Sequence, residues 1–196
     1  RELSKEHELM TEFGSPAYVS EQRSRCADRT KNAVDDAFDG TDYTHVETAL
    51  DYANEHEMVC LDRQIGRHPD HSYVGRYYVP KQYARIALML SKLLEPADED
   101  RDPDFFTVQI PEHEETAIRV LPDVGLTTVL GSDYSGEAKK SFLRLFMHRA
   151  KQRGGLGLHA GSKRVSLRTD AGDATIGQVF LELSANGKST LTAHGV

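Results

Sequence analysis

Between residues 44 and 155 the sequence alternates repeatedly between helical and strand periodicity, and this alternation restricts the chain to a mixed α/β fold. Val46, Ala49, Leu50 and Ala53 share one helical face and predict a helix over about 44–57, opened by Thr44 and Glu47 as a capping box. Residues 58–61 form a short apolar run of the kind a buried strand makes, with Cys60 as core filler. Residues 73–79, rich in Tyr and Val, predict a strand ended by Pro80. Tyr83, Ile86, Ala87, Leu90, Leu93 and Leu94 then recur at helical spacing until Pro96, which cannot continue a helix. Phe106, Val108 and Ile110 alternate as a strand before Pro111, and residues 126–130 read as another. Helical spacing returns over 138–153 through Phe142, Leu145, Phe146 and Ala150, and Gly154-Gly155 stops it. Beyond it, residues 156–159, 164–168 and 175–183 read as strands around a turn at 170–173, and residues 1–40 read as irregular.

Composition narrows the class. The 196 residues carry 24 Lys and Arg against 31 Asp and Glu, a net charge of −7, with 38% hydrophobic residues. That balance is globular, and the length suits one large domain or one domain plus part of another. No apolar run approaches the roughly 18–20 residues that span a bilayer, and the first residues do not resemble a secretory signal. Membrane insertion and export are therefore not expected. Cys26 and Cys60 are too few for a disulfide framework or a cysteine-based zinc site, so a reducing cytoplasm is the expected compartment. An acidic balance argues against a dedicated nucleic-acid binder. The chain starts at Arg1 without an initiator Met and stops at Val196, a few residues after its most informative motif, so an excised or processed chain is expected.

That motif is E-L-S-A-N-G-K-S-T at 182–190, after the apolar run Val179, Phe180, Leu181. A strand, a small polar loop and then Gly-Lys-Ser opening a helix is an arrangement that cradles phosphates. Gly187 lets the backbone N–H approach an oxygen, Lys188 brings a positive charge, and Ser189 offers a hydroxyl to magnesium. The strict pattern requires glycine where Glu182 stands, and a carboxylate there repels anions. By itself the loop fits a nucleotide site and an ordinary strand-turn-helix equally well.

Two upstream segments add to it: G-S-D-Y-S-G-E-A-K-K at 131–140 and G-G-L-G-L-H-A-G at 154–161. In this order and spacing the three resemble ATP-dependent phosphoenolpyruvate carboxykinase, whose Y-x-G-E-x-K-K segment precedes a glycine-rich strand with a histidine and then a G-L-S-G-T-G-K-T loop. The resemblance covers about residues 60–196, including G-x-x-P-D at 66–70, the R-Y-Y-V strand and P-D-F-F at 103–106. It implies conversion of oxaloacetate and ATP to phosphoenolpyruvate, ADP and carbon dioxide in gluconeogenesis, with manganese and magnesium as cofactors.

Position by position, the resemblance implies Lys140 and His159 as manganese ligands, with Tyr134 and Lys139 lining the substrate and phosphate site. It implies Lys188 on the phosphates, Ser189 on magnesium where the family more often has threonine, and Ser184 as the loop serine, within a nucleotide loop completed by Ala185, Asn186, Gly187 and Thr190. Arg25, beside Arg23 in R-S-R-C-A-D, is the candidate for the oxaloacetate carboxylate, although the family's G-R-S-P-K-D has a glycine and proline that are missing here. The family's third manganese ligand, an aspartate beyond the phosphate loop, would fall past Val196. The implied organisation is an amino-terminal, substrate-side, mixed-sheet α/β domain over 1–153 and the incomplete start of a P-loop-type nucleotide-binding domain over 154–196. Such a chain is expected to be inactive alone, and a complementing carboxyl-terminal half is a candidate partner.

Other readings stay open at this level. Lys139, Lys140, Arg144, Arg149, Lys151 and Arg153 could form a basic face for nucleic acid, although Phe142 and Phe146 fit a buried helical face better than stacking platforms. The changed loop and the early stop also fit a non-catalytic remnant acting as a binding or interaction module.

Overall fold

A computed structural model describes residues 2–14, 16–17, 27–181 and 192. Its described residues fall into two compact units, Arg1–Gly154 and Gly155–Val196. In the first, β1 (Leu9–Met10) and β2 (Pro16–Ala17) pair as a short antiparallel ribbon. The main sheet contains β3 (Thr30–Asn32), β4 (Met58–Ile65), β5 (Tyr73–Pro80), β6 (Glu95–Pro96), β7 (Phe105–Ile110), β8 (Ala117–Leu121) and β9 (Leu126–Leu130). Its strand order is β3-β8-β9-β7-β5-β4-β6. Strands β5, β7 and β9 run parallel, whereas β8 is antiparallel to β9 and β4 is antiparallel to β5. This is a mixed α/β fold.

Alternate residues of each strand face opposite sides of the sheet, and the helices divide accordingly. Helix α1 (Gly40–Glu55) packs Ala49 against Val108, Ile110, Ala117 and Leu130. Helices α2 (Ala84–Leu93) and α3 (Ser135–Gln152) cover the other parity, where Ile86, Leu90, Phe142 and Leu145 meet Tyr77, Phe105, Val120 and Val129. Phe142 lies directly on β5, because a Cβ built on Gly75 would stand 2.7 Å from its ring. Among the described residues no helix is long and apolar enough to cross a membrane.

Several local expectations are corrected. Helix α1 begins four residues before Thr44, capped by Asp39 and closed by Asp42 rather than by Thr44 and Glu47. Asp42 wins because its carboxylate also receives Lys31 and Arg119, each at 2.7 Å, while Thr44 bonds back to the Gly40 carbonyl at 2.9 Å. Cys60 is exposed, not core: the two-residue β6 pairs only with Arg63 and Gln64, leaving the Cys60 end of β4 without an outer neighbour. Strand β3 interrupts the stretch read as irregular, and β8 forms where no element was expected. Strand β3 is polar throughout, and β8 carries Arg119 where an apolar residue would signal burial.

The second unit contains an antiparallel hairpin, β10 (Gly161–Thr169) and β11 (Gly172–Phe180), closed by Asp170 and Ala171. Residues 156–159 are not a strand: they are interrupted by Gly157, and Leu156 and Leu158 stay exposed, with no strand paired to them among the described residues.

Candidate active site

Because β5, β7 and β9 are parallel, their carboxyl ends share one edge of the sheet, the edge at which open α/β sheets bind ligands. Residues 131–134 leave β9 at this edge and enter α3. Gly131 has φ +62, and a Cβ there would lie 2.4 Å from the Glu115 carbonyl oxygen, so the turn needs glycine. The turn is held at nearly every residue. The Gly131 carbonyl accepts from Thr116 Oγ1 at 2.9 Å, and the Ser132 carbonyl accepts from Gln109 Nε2 at 2.7 Å. Asp133 is buried in an ion pair with Arg85 of α2 at 2.9 Å.

Tyr134 is the residue immediately before α3, and its ring lies over Gly136: a Cβ there would come within 2.4 Å of the ring. That contact accounts for the glycine in Y-S-G. Lys140 reaches back along the helix, its Nζ 5.0 Å from the centre of the Tyr134 ring. The carboxylate of Glu137, fully buried, lies between two cations on the same helical face. Its Oε1 accepts from Lys140 at 3.1 Å, and its Oε2 accepts from Arg144 at 3.0 and 3.1 Å.

The structure therefore brings Tyr134 and Lys140 together, and it places Lys139, the next residue along α3, on an exposed side of the helix. His159 belongs to the second unit, exposed in the irregular segment before β10. Arg25, Glu182 and the loop residues Ser184, Ala185, Asn186, Gly187, Lys188, Ser189 and Thr190 lie outside the described residues. Among the described residues no group of three histidine, cysteine, aspartate or glutamate side chains is placed to hold a metal ion.

Glu137, Gln109 and the Arg85–Asp133 pair were not singled out in the sequence. Glu137 had a signal in its spacing, three residues before Lys140 and seven before Arg144. Of the six cations proposed for a nucleic-acid face, Lys139 and Lys151 stay exposed, and Lys140, Arg144 and Arg153 are engaged within the unit. Lys140 and Arg144 share Glu137, and Arg153 bonds the Asp70 carbonyl and covers the Tyr73 ring. Phe142 is buried and Phe146 packs against the core, as a helical face requires.

The segment from Tyr134 to Lys140 thus combines a strand-to-helix turn, an aromatic lid over glycine, a buried glutamate and an amine. A family model for phosphoenolpyruvate carboxykinase matches residues 18–195, nearly the whole chain. The chain belongs to that family. It is 35% identical over 202 aligned residues to "Phosphoenolpyruvate carboxykinase (ATP)" of Aeropyrum pernix, a match covering 100% of this chain and 40% of that protein. The protein of the same name from Dictyostelium discoideum is 28% identical over 163 residues, covering 75% of this chain and 28% of its own length. The chain therefore spans well under half the length of these relatives.

Proposed function

We propose that this chain supplies the substrate side of an ATP-dependent phosphoenolpyruvate carboxykinase, a cytoplasmic gluconeogenic enzyme that converts oxaloacetate and ATP to phosphoenolpyruvate, ADP and carbon dioxide. The observation that carries the reading is the position of Tyr134 and Lys140, facing one another at the carboxyl edge of the sheet, within a chain 35% identical to a relative of that name. Decarboxylation of a β-keto acid leaves an enolate, and cationic groups stabilise its developing charge. Lys140 and Lys139 supply cations from α3, Tyr134 forms an aromatic and phenolic wall, and Arg25 takes a substrate carboxylate. The loop Ser184, Ala185, Asn186, Gly187, Lys188, Ser189 and Thr190 holds the ATP phosphates.

Lys140 and His159 would hold manganese, and Ser189 magnesium. Bound divalent ions supply Lewis-acid stabilisation of enolate and phosphoryl charge. The residues around Lys140 fit this role. Lysine must give up both its proton and its ion pair to become a ligand, and Arg144 remains on Glu137 when Lys140 departs, so the buried carboxylate keeps a partner. The amine is also within reach of solvent, with 38% of its side chain exposed.

The test is reconstitution. The chain is co-expressed with the carboxyl-terminal portion of the Aeropyrum pernix relative, and ADP formation from oxaloacetate and ATP is followed with manganese and magnesium present. We expect turnover in the complex, none from the chain alone, and a fall of about 10²–10³ in kcat for Lys140→Ala, the usual loss when one charge-stabilising group is removed. A soluble but inactive complex, or a Lys140→Ala complex as fast as the parent, overturns the proposal.

A further inference from the structure

Among polar groups outside the implied site, Gln109 has the most telling surroundings. It is fully buried on β7, on the sheet face covered by α3, two residues beyond Thr107, which pairs with Tyr77 of β5. An apolar residue would fill such a position without any need for hydrogen bonds, and an amide there is costly unless its groups are satisfied. Both ends of this amide are engaged. Its Oε1 accepts from the Tyr77 hydroxyl at 2.9 Å, and its Nε2 donates to the Ser132 carbonyl at 2.7 Å and, at a longer 3.4 Å, to the Tyr134 carbonyl. The core side of the network thus ends on the backbone of the turn that presents Tyr134.

Other contacts restrict the same turn. Thr116 holds the Gly131 carbonyl, Arg85 holds Asp133, and the Ser132 hydroxyl accepts from the Tyr134 N–H at 3.3 Å. Of the contacts made from outside the turn, the one from Gln109 reaches both Ser132 and Tyr134. A shift of the Ser132 and Tyr134 carbonyls moves the Tyr134 ring relative to Gly136 and Lys140, which it touches.

We propose that Gln109 is a positioning residue: its side-chain amide fixes the backbone at Ser132 and Tyr134, and thereby sets the height of the Tyr134 ring over α3. This deepens the proposed function and rests on the part Tyr134 plays in it. Gln109 touches no substrate; it acts through Tyr134.

The experiment is a double-mutant cycle in the reconstituted complex, with Gln109→Met, Tyr134→Phe and the pair. Methionine keeps the length of the side chain and removes its donor. Misplacing a reacting or substrate-lining group by about 1 Å can cost about 10²-fold. We expect Gln109→Met to lower kcat 10- to 100-fold with the KM for ATP unchanged, because the implied nucleotide loop is in the other unit. In the Tyr134→Phe background the same change should lower kcat less than threefold. If Gln109→Met yields no soluble complex, Gln109→Glu replaces it, retaining an acceptor for Tyr77 without the amide donor. Full additivity of the two effects, or a rise in KM alone, overturns the positioning role. A Tyr134→Phe complex with unaltered kcat instead overturns the role of Tyr134 on which this rests, a separate and distinguishable failure.

Discussion

Replacing Asp42 by alanine is the sharpest test of how the first unit is held together. The carboxylate accepts from Lys31 Nζ and Arg119 Nε, each at 2.7 Å, and from the Asp39 N–H at 3.0 Å, so one side chain joins β3, β8 and the cap of α1. These contacts differ in worth. The Lys31 side chain is 40% exposed and rehydrates when released, which limits its share to at most about 1 kcal/mol. The Arg119 side chain is only 9% exposed, and removing one partner of a buried pair costs about 3–5 kcal/mol. Arg119 retains the carbonyls of Arg29 and Ile118, which brings its share to the lower end. With roughly 1 kcal/mol for the damaged cap, the loss is about 4 kcal/mol, a large part of the 5–15 kcal/mol typical of a domain.

Urea unfolding at pH 7 reads this as a midpoint lowered by about 2 M, for a slope near 2 kcal/mol/M. Burial pushes the Asp42 carboxyl up, but hydrogen bonds from Lys31, the Asp39 N–H and Arg119 outweigh it and bring it from 3.8 down to about 2. A carboxyl lowered by folding stabilises fully above its unfolded value and loses that contribution as pH falls toward its folded value. The gap between parent and Asp42→Ala should therefore be widest above about pH 4 and narrow between pH 4 and 2. A loss below 1 kcal/mol at pH 7, or a gap that widens on acidification, would refute the reasoning.

Three further outcomes follow from packing and exposure. Phe142→Ala should cost about 3–5 kcal/mol in the same unfolding assay, and Gly75→Ala about 1–3 kcal/mol because its Cβ meets the Phe142 ring at 2.7 Å. In the Phe142→Ala background the Gly75→Ala penalty should vanish, and a persistent penalty would mean that the contact is not its source. Gly136→Ala should separate stability from chemistry: alanine favours the helix by up to about 1 kcal/mol, yet it displaces the Tyr134 ring, so the midpoint should hold or rise while kcat in the reconstituted complex falls. Burial first and Asp62 second raise the Cys60 thiol above its ordinary 9.0, so iodoacetamide labelling of Cys60, followed by mass spectrometry, should still accelerate above pH 9; a plateau below that pH contradicts this.

Where the sequence was readable, it was so because a single period dominated. Helix α2 and strands β5, β7 and β9 each bury a regular set of apolar residues, and all were legible within a few residues. Strand β8 was hidden because Arg119 occupies an interior position, and what makes that position tolerable is Asp42, which lies 77 residues earlier in the chain. The start of α1 was misplaced for a related reason: Thr44 with Glu47 has the sequence form of a capping box, and only the tertiary partners of Asp42 put the cap at Asp39. The segments that hold Tyr134, Lys139, Lys140 and His159 stand out in the sequence by their order. The contacts of Gln109 and Glu137 do not, since a buried amide or carboxylate gains meaning from what folding places against it.

If Lys140 and His159 hold one divalent ion, as proposed, a crystal of the reconstituted complex grown with manganese shows it without reference to activity. The anomalous manganese peak should be bonded to Lys140 Nζ and to an imidazole nitrogen of His159, with Glu137 left to Arg144 alone. A peak bonded to neither residue, with Lys140 still on Glu137, would contradict it.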